Sequence, residues 1–346
     1  MVELQTRVTA QLGIRYPIIC GAMYPCSNIE LVAAVSEAGG IGVVQPLSLV
    51  YVHGHEFRQG LGLIATRTPK PIGLNVIVEG SSKAYHDRMK RYMDIALEHG
   101  VRFFVTSLGN PSWVVERAHA VGGTVYHDVT ERKWALKGLE AGVDGLIAVN
   151  ERAGGHAGVR SAVDLFEELA DLQVPLVCAG GVGDAHTFVE ALGLGYSAVQ
   201  MGTRFIATQE CSASREYKDA IVSATADDIV LTEKITGVPV AVIETPYIAK
   251  IGTHVGPLAR RLLQGRRTKH WMRMFYSLQS LWKLKRSSYR SFSYRDFLQA
   301  GKSVEGVREV ESVAEVVSRF ADAASKPSSV GNQSVSESGL PPSSKT

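Results

Sequence analysis

Between residues 17 and 201, short runs of β-forming residues recur at fairly even intervals, and each is followed by a longer stretch of helical pattern. This alternation constrains the fold more than any other feature, because parallel strands must be joined by crossovers and helices supply them. Eight runs can be counted, at 17–22, 40–44, 72–78, 102–106, 124–127, 145–149, 175–179 and 198–201. Most are continuously apolar, as strands covered on both faces should be. Eight strand–helix units in succession predict one (β/α)8 TIM barrel rather than two open sheets. In such a barrel the functional groups lie on the loops after the C-terminal strand ends.

Local signals agree with that pattern. Ser27-Asn28-Ile29-Glu30 reads as a capping box, in which hydroxyl and carboxylate take up free amides of the first helical turn. Asn110-Pro111 offers an N-cap followed by proline at the first helical position. Thr130 is placed to cap the helix around Trp134.

Past residue 211 the alternation fades. The expected organisation is a barrel core at 1–211, a C-terminal helical and irregular extension at 212–320, and a disordered tail at 321–346. From Ser325 onward, eight of 22 residues are serine and three are proline, too little apolar surface to offset the entropy of ordering. The net charge is only +3, but residues 259–290 hold ten Lys and Arg and no acidic residue, leaving −7 for the rest. Interleaved with those cations are Trp271, Phe275, Tyr276 and Trp282. The segment reads either as a helical extension that packs its aromatics inward while the basic stems reach out, or as a surface for an acidic partner or an anionic membrane. Nucleic acid ranks last.

Several classes are excluded. Cys20, Cys26, Cys178 and Cys211 form no CxxC pair, so a reduced, cytoplasmic setting is expected. No uncharged apolar run reaches the roughly 18 residues of a membrane span, and the charged N-terminal stretch has no signal-peptide core. There is no HExxH, no acidic ladder and no Cys/His cluster, so no metal is expected, and no GxSxG marks a serine nucleophile.

Three strand-end loops carry candidate chemistry. After the seventh run comes Cys178-Ala179-Gly180-Gly181-Val182-Gly183-Asp184, and after the eighth Gln200-Met201-Gly202-Thr203-Arg204-Phe205. In a barrel these two are neighbours at the usual phosphate corner, where bare glycine amides meet a dianion, so together they point to a phosphorylated ligand. After the sixth run, Asn150-Glu151-Arg152-Ala153-Gly154-Gly155-His156-Ala157-Gly158 lets backbone lie close to a ligand and sets an imidazole at the mouth, suited to proton transfer or hydrogen bonding. His156 is the candidate catalyst. Cys20-Gly21-Ala22-Met23 ends the first run in small residues against which a planar ring can press, and Asn75 places an amide among apolar neighbours, where structure or ligand must bond it. His127-Asp128 is a candidate acid/base pair of which at most one member faces the barrel.

The segments Pro17–Met23, Ala38-Gly39-Gly40-Ile41-Gly42, Gly73-Leu74-Asn75-Val76, Ala153–Gly158, Ala179-Gly180-Gly181 and Met201–Phe205 resemble, in order, those of the nitronate monooxygenase family, formerly the 2-nitropropane dioxygenases. The resemblance spans roughly residues 10–250. It implies a TIM barrel that binds FMN non-covalently, with Ala22 and Met23 along the isoalloxazine and Asn75 on its polar edge. It further implies that Gly154, Gly180, Gly181, Gly202 and Thr203 belong to the cofactor site, and that His156 is the active-site histidine. The activity implied is oxidation of an alkyl nitronate, or a nitroalkane, by O2 to a carbonyl compound and nitrite. The same motifs resemble the FMN-dependent enoyl-acyl-carrier-protein reductases and NADH:quinone reductases, so NAD(P)H-driven flavin reduction is the alternative. One position departs from the family pattern E-A-G-G-H: Arg152 stands where the glutamate is usual, and Glu151 lies one place earlier.

Overall fold

The computed structural model describes residues 2–79, 83–234, 238–254 and 297–326. The basic segment at 259–290 and the tail beyond residue 326 lie outside them. Eight parallel strands pair in sequence order: β1 (Ile18–Cys20), β2 (Ile41–Val44), β3 (Ile72–Ile77), β4 (Phe103–Ser107), β5 (Thr124–Val129), β6 (Gly145–Val149), β7 (Leu176–Ala179) and β8 (Ala198–Met201). β8 pairs back onto β1 through Ile18–Val199 and Cys20–Met201, closing a TIM barrel. Every strand falls on one of the eight apolar runs.

The helices are α1 (Arg7–Leu12), α2 (Ile29–Glu37), α3 (Phe57–Ala65), α4 (Lys83–Glu98), α5 (Ser112–His119), α6 (Arg132–Glu140), α7 (Ala162–Leu169) and α8 (Ala185–Gly193). From α2 onward these are the crossovers after β1 to β7. Beyond β8 come α9 (Thr203–Ile206), α10 (Arg215–Ser223), β9 (Ile229–Thr232), β10 (Val240–Ile243), α11 (Pro246–Ile251) and α12 (Val313–Ser325). β9 and β10 form an antiparallel pair. α12 packs on α8 and α2, with the Phe188 and Phe320 rings 5.4 Å apart. The eighth crossover position is therefore filled by a helix that arrives only after the whole extension, and a boundary drawn at residue 320 cuts through it.

Strand alternation sorts the apolar side chains into two layers. Ile19, Ile41, Val43, Phe103, Tyr126, Ile147, Val177 and Ala198 fill the barrel interior, joined by Val8 and Leu12 of α1. A larger layer lies between the strands and the surrounding helices. α1 covers the N-terminal end, where Tyr126 donates its hydroxyl to Gln11 Oε1 at 2.5 Å.

The cap signals need correction. Asn28, not Ser27, is the N-cap of α2, and it makes no side-chain cap bond. Ser27 instead accepts from Met23 N at 2.9 Å, and Glu30 accepts from Asn28 Nδ2 at 2.8 Å. Those residues tie down the β1 loop. Pro111 occupies the N-cap of α5, one place later than expected, while Asn110 Oδ1 accepts from Ser112 N at 2.9 Å. Glu131, not Thr130, is the N-cap of α6.

Candidate active site

On β5, Tyr126 points into the barrel, so Asp128 shares that face and His127 takes the other. His127 is buried on the outer side, with Nδ1 2.8 Å from Thr106 Oγ1, against Gly138 of α6. Burial lowers its pKa to about 4, so it is a neutral structural residue. Asp128 is at the opposite extreme. Its Oδ1 is buried without a hydrogen-bond partner, and desolvation raises its pKa to about 7.

The β6 loop is organised by a residue with no exposed surface, Asn150. Its Nδ2 donates to Gly180 O at 2.9 Å and its Oδ1 accepts from Arg152 N at 2.8 Å. One side chain thus fixes the histidine loop and the β7 glycine loop together. Further along, Ala241 N of β10 donates to Gly155 O at 2.8 Å, so a strand of the extension grips the loop one residue before His156. β10 also receives the returning chain, since Ile243 N donates to Leu298 O at 2.9 Å. His156 remains solvent-accessible, yet the protein around it lowers its pKa by desolvation. Its imidazole is therefore predominantly neutral at neutral pH.

Arg152 is paired with Glu305 of the returning chain. Its stem lies over Gly181, with Cδ 3.1 Å from where a β-carbon on that glycine would sit. Gly180 and Gly181 have φ of +115° and +82°, backbone that side chains rarely adopt. Thr203, the first residue of α9, is buried and its Oγ1 accepts from Gly301 N at 3.0 Å. A β-carbon on Gly154 would meet Gly301 N at 2.9 Å, and one on Gly183 would meet Ser303 O at 2.0 Å. These two glycines are required by the chain that returns across the corner. Lys302 N, donating to Arg152 O at 2.9 Å, completes that seam.

On the far side, the ends of β1 and β8 meet. A β-carbon on Gly202 would lie 3.3 Å from Met23 Sδ, and one on Gly21 would lie 3.0 Å from Gln200 Cγ. Ala22 packs at the edge of the interior layer. Asn75 is buried on β3 and donates from Nδ2 to Val105 O at 3.3 Å. The side chain of Gln200 ends in a buried Oε1 without a partner. The mouth is thus floored by strand residues and roofed in part by the extension. Among the described residues no group of three or more His, Cys, Asp or Glu is placed to hold a metal.

Sequence reasoning passed over two residues of this arrangement. Gln200 carries a legible signal, a polar side chain at an inward position of an apolar strand. Asn150 carries a weaker one, since an asparagine directly after a buried strand often bonds local backbone. The grip of β10 on Gly155 had no local signal, because it joins positions 86 residues apart.

A barrel with its polar groups and glycine loops at the C-terminal mouth has the layout in which TIM-barrel enzymes carry their sites. The nitronate monooxygenase family model matches residues 5–322, and the chain belongs to that family, whose members are flavin oxidoreductases. It is 29% identical to a probable nitronate monooxygenase of Staphylococcus saprophyticus, over 73% of this chain and 82% of that one. It is 27% identical to the (3aS,4S,5R,7aS)-5-hydroxy-7a-methyl-1-oxo-octahydro-1H-indene-4-carboxyl-CoA dehydrogenase of Rhodococcus jostii, over 72% and 68% of the two chains. Among solved structures, FabK from Thermotoga maritima superposes with a TM-score of 0.76 at 27% identity, covering 93% of this chain and 96% of that one. No helix among the described residues is long and apolar enough to cross a membrane.

Proposed function

We propose that the chain binds FMN non-covalently at the barrel mouth and oxidises alkyl nitronates, or nitroalkanes, with O2 to carbonyl compounds and nitrite. The observation that carries this reading is the seating of the His156 loop, tied by Asn150 to the Gly180 turn and by β10 to the extension. A single imidazole is thereby held at the mouth beside a phosphate corner.

The residues present fit a flavin. Gln200 Oε1 and Asp128 Oδ1 are buried oxygens without protein partners, each costing about 1–3 kcal/mol if left so. A flat ring bearing both N–H and carbonyl groups satisfies such a floor. Ala22 and Met23 would line the ring and Asn75 and Gln200 its polar edge. The amides of Gly180, Gly181, Gly202 and Thr203 would hold the phosphate. Gly154 would contribute indirectly, by admitting Gly301 against Thr203.

Bound flavin supplies the redox chemistry. What the protein adds is proton placement and charge. A neutral His156 can accept an α-proton from a nitroalkane, and its N–H can donate to the nitro oxygens of a nitronate anion. Arg152, balanced by Glu305, adds no net charge to the corner, which leaves anion binding to His156 and backbone amides. The substrate is a small molecule taken up at the mouth, in a reduced cytoplasmic setting consistent with four buried free cysteines.

The test is anaerobic mixing of FMN-loaded protein with propionate 3-nitronate or with NADH. Bleaching by nitronate supports the proposal; bleaching by NADH alone overturns it. The likenesses to a carboxyl-CoA dehydrogenase and to FabK favour that second outcome as the alternative, a flavin reductase driven by NAD(P)H. His156→Ala should slow nitronate turnover about 10²- to 10⁴-fold while FMN stays bound, and unchanged turnover removes the histidine from the chemistry.

A further inference from the structure

Asp128 is the one inward-facing carboxyl group among the strand residues described. It lies on β5 itself, paired in register with Ile147 of β6, two residues above Tyr126 of the interior layer. It is therefore at the floor of the mouth, in the same strand-end tier as Asn75 and Gln200, and not on a mobile loop. Oδ1 is buried and unbonded, and the side chain makes no salt bridge with any of the described residues. Asp128 as a whole is half-buried, but a carboxylate there would hold one oxygen away from water with no donor, which is costly. A carboxylic acid in the same place is a neutral donor in search of an acceptor.

We propose that Asp128 is a further residue of the flavin site, a carboxylic acid that donates a hydrogen bond to an acceptor atom of the bound ring. The inference rests on the flavin reading above. It also accounts for two orphaned oxygens in one floor: Gln200 meets donor groups of the ring and Asp128 meets acceptors. The groups facing Asp128 do not ionise. On β4 the level position is Ser107, one step past the Thr106–His127 pair, and on β6 the inward residues are Ile147 and Val149. His127 points away, and Arg152 is held by Glu305. His156, on the β6 loop, and Glu79, just past the end of β3, are further titratable groups at this end of the barrel. The raised pKa of Asp128 has burial as its single cause, with no neighbouring charge acting.

The experiment measures riboflavin and FMN affinity by fluorescence quenching for the native chain, Asp128→Asn and Asp128→Leu, from about pH 6 to about pH 9. Riboflavin isolates the ring from the phosphate, and His156 titrates in all three proteins, so the difference between profiles is what counts. In the native chain ring affinity should be constant at low pH and fall by up to about tenfold per unit once the acid ionises. Asp128→Asn keeps a donor and should lose that slope while binding within about threefold of the native low-pH value. Asp128→Leu should bind about tenfold more weakly with no such slope. The visible flavin band should move with pH in the native complex and stay fixed in Asp128→Asn. Superimposable profiles for the native chain and Asp128→Asn, or native affinity that rises with pH relative to Asp128→Asn, overturn the inference alone. Failure of the native chain to bind either flavin overturns the flavin reading, and this inference with it.

Discussion

Replacing Glu311 with glutamine tests how the end of β8 is anchored. Arg204 lies two residues after Gly202, and its side chain is 1% exposed. Nη2 donates to the carbonyls of Ala207 and Glu309 at 2.7 and 3.0 Å, and Nη1 faces Glu311 Oε2 at 3.3 Å. Glu311 is also held by Arg319 on α12, with Nη2 2.7 Å from Oε2. Removing one partner of a buried ion pair costs about 3–5 kcal/mol, because the other charge stays desolvated. The two carbonyl bonds of Arg204 survive in the variant, which puts the expected loss near 3 kcal/mol. At about 2 °C per kcal/mol for a chain of this size, the melting midpoint should drop by about 6 °C. Circular dichroism melts check the value. If Glu311→Gln melts within about 1 °C of the native chain, the argument from buried charge fails.

Two further outcomes follow from the same structure. His127 and Asp128 should act on stability in opposite directions over an overlapping pH window. The His127 pKa is lowered from 6.5 to about 4, so its contribution is present above 6.5 and lost as pH falls toward 4; the Asp128 pKa is raised from 3.8 to about 7, so its contribution is present below 3.8 and lost as pH rises toward 7. Each amounts to about 3–4 kcal/mol. Urea unfolding of flavin-free protein should therefore show Asp128→Asn gaining stability more steeply than the native chain between about pH 4 and 6.5, and parallel curves refute the pair of assignments. Gly183→Ala should destabilise by about 1–3 kcal/mol or more, since the new methyl would sit 2.0 Å from Ser303 O. A native-like melt together with native resistance to proteolysis around residues 298–306 would show that the returning chain does not lie where the structure puts it.

The barrel was legible because each strand is buried on both faces and announces itself without reference to any partner. The two glycine loops and His156 were legible for a related reason: their position follows once the strand ends are known. Helix caps were less so, because Ser27 and Asn110 satisfy neighbouring loop backbone as readily as the helix they precede. The adjacent pair His127-Asp128 was resolvable only to a choice, since alternation separates the two faces without saying which is inward. Tyr126 in the interior layer decides it. What a single pass along the chain did not show is everything that depends on distant segments meeting: α12 as the eighth crossover, the Arg204–Glu311–Arg319 cluster, and β10 against Gly155. Arg204 is the clearest case. In the motif Met201–Phe205 it reads as part of a phosphate loop, whereas its guanidinium is spent on Glu311 and two carbonyls.

The route of the chain after β8 explains why these distant contacts matter. A barrel needs an eighth helix to cover the apolar flank between α8 and α2, and here that helix is postponed until Val313. The chain between β8 and that helix is an insertion whose two ends are fixed by the barrel itself. Among its described residues, Tyr217, Ile221, Leu298, Val304 and Val307 join the apolar layer of the barrel, and a separate small cluster gathers Val240, Val242 and Ile248. The insertion spends its backbone bonds on the mouth: β10 on Gly155, Gly301 on Thr203 and Lys302 on Arg152. Strands β1, β3, β5 and β8 can then keep a constant floor for a ring while the groups above it change with the insertion. On the flavin reading proposed above, the floor would hold the ring, and the insertion, by gripping Gly155 beside His156, would set where the imidazole meets a substrate.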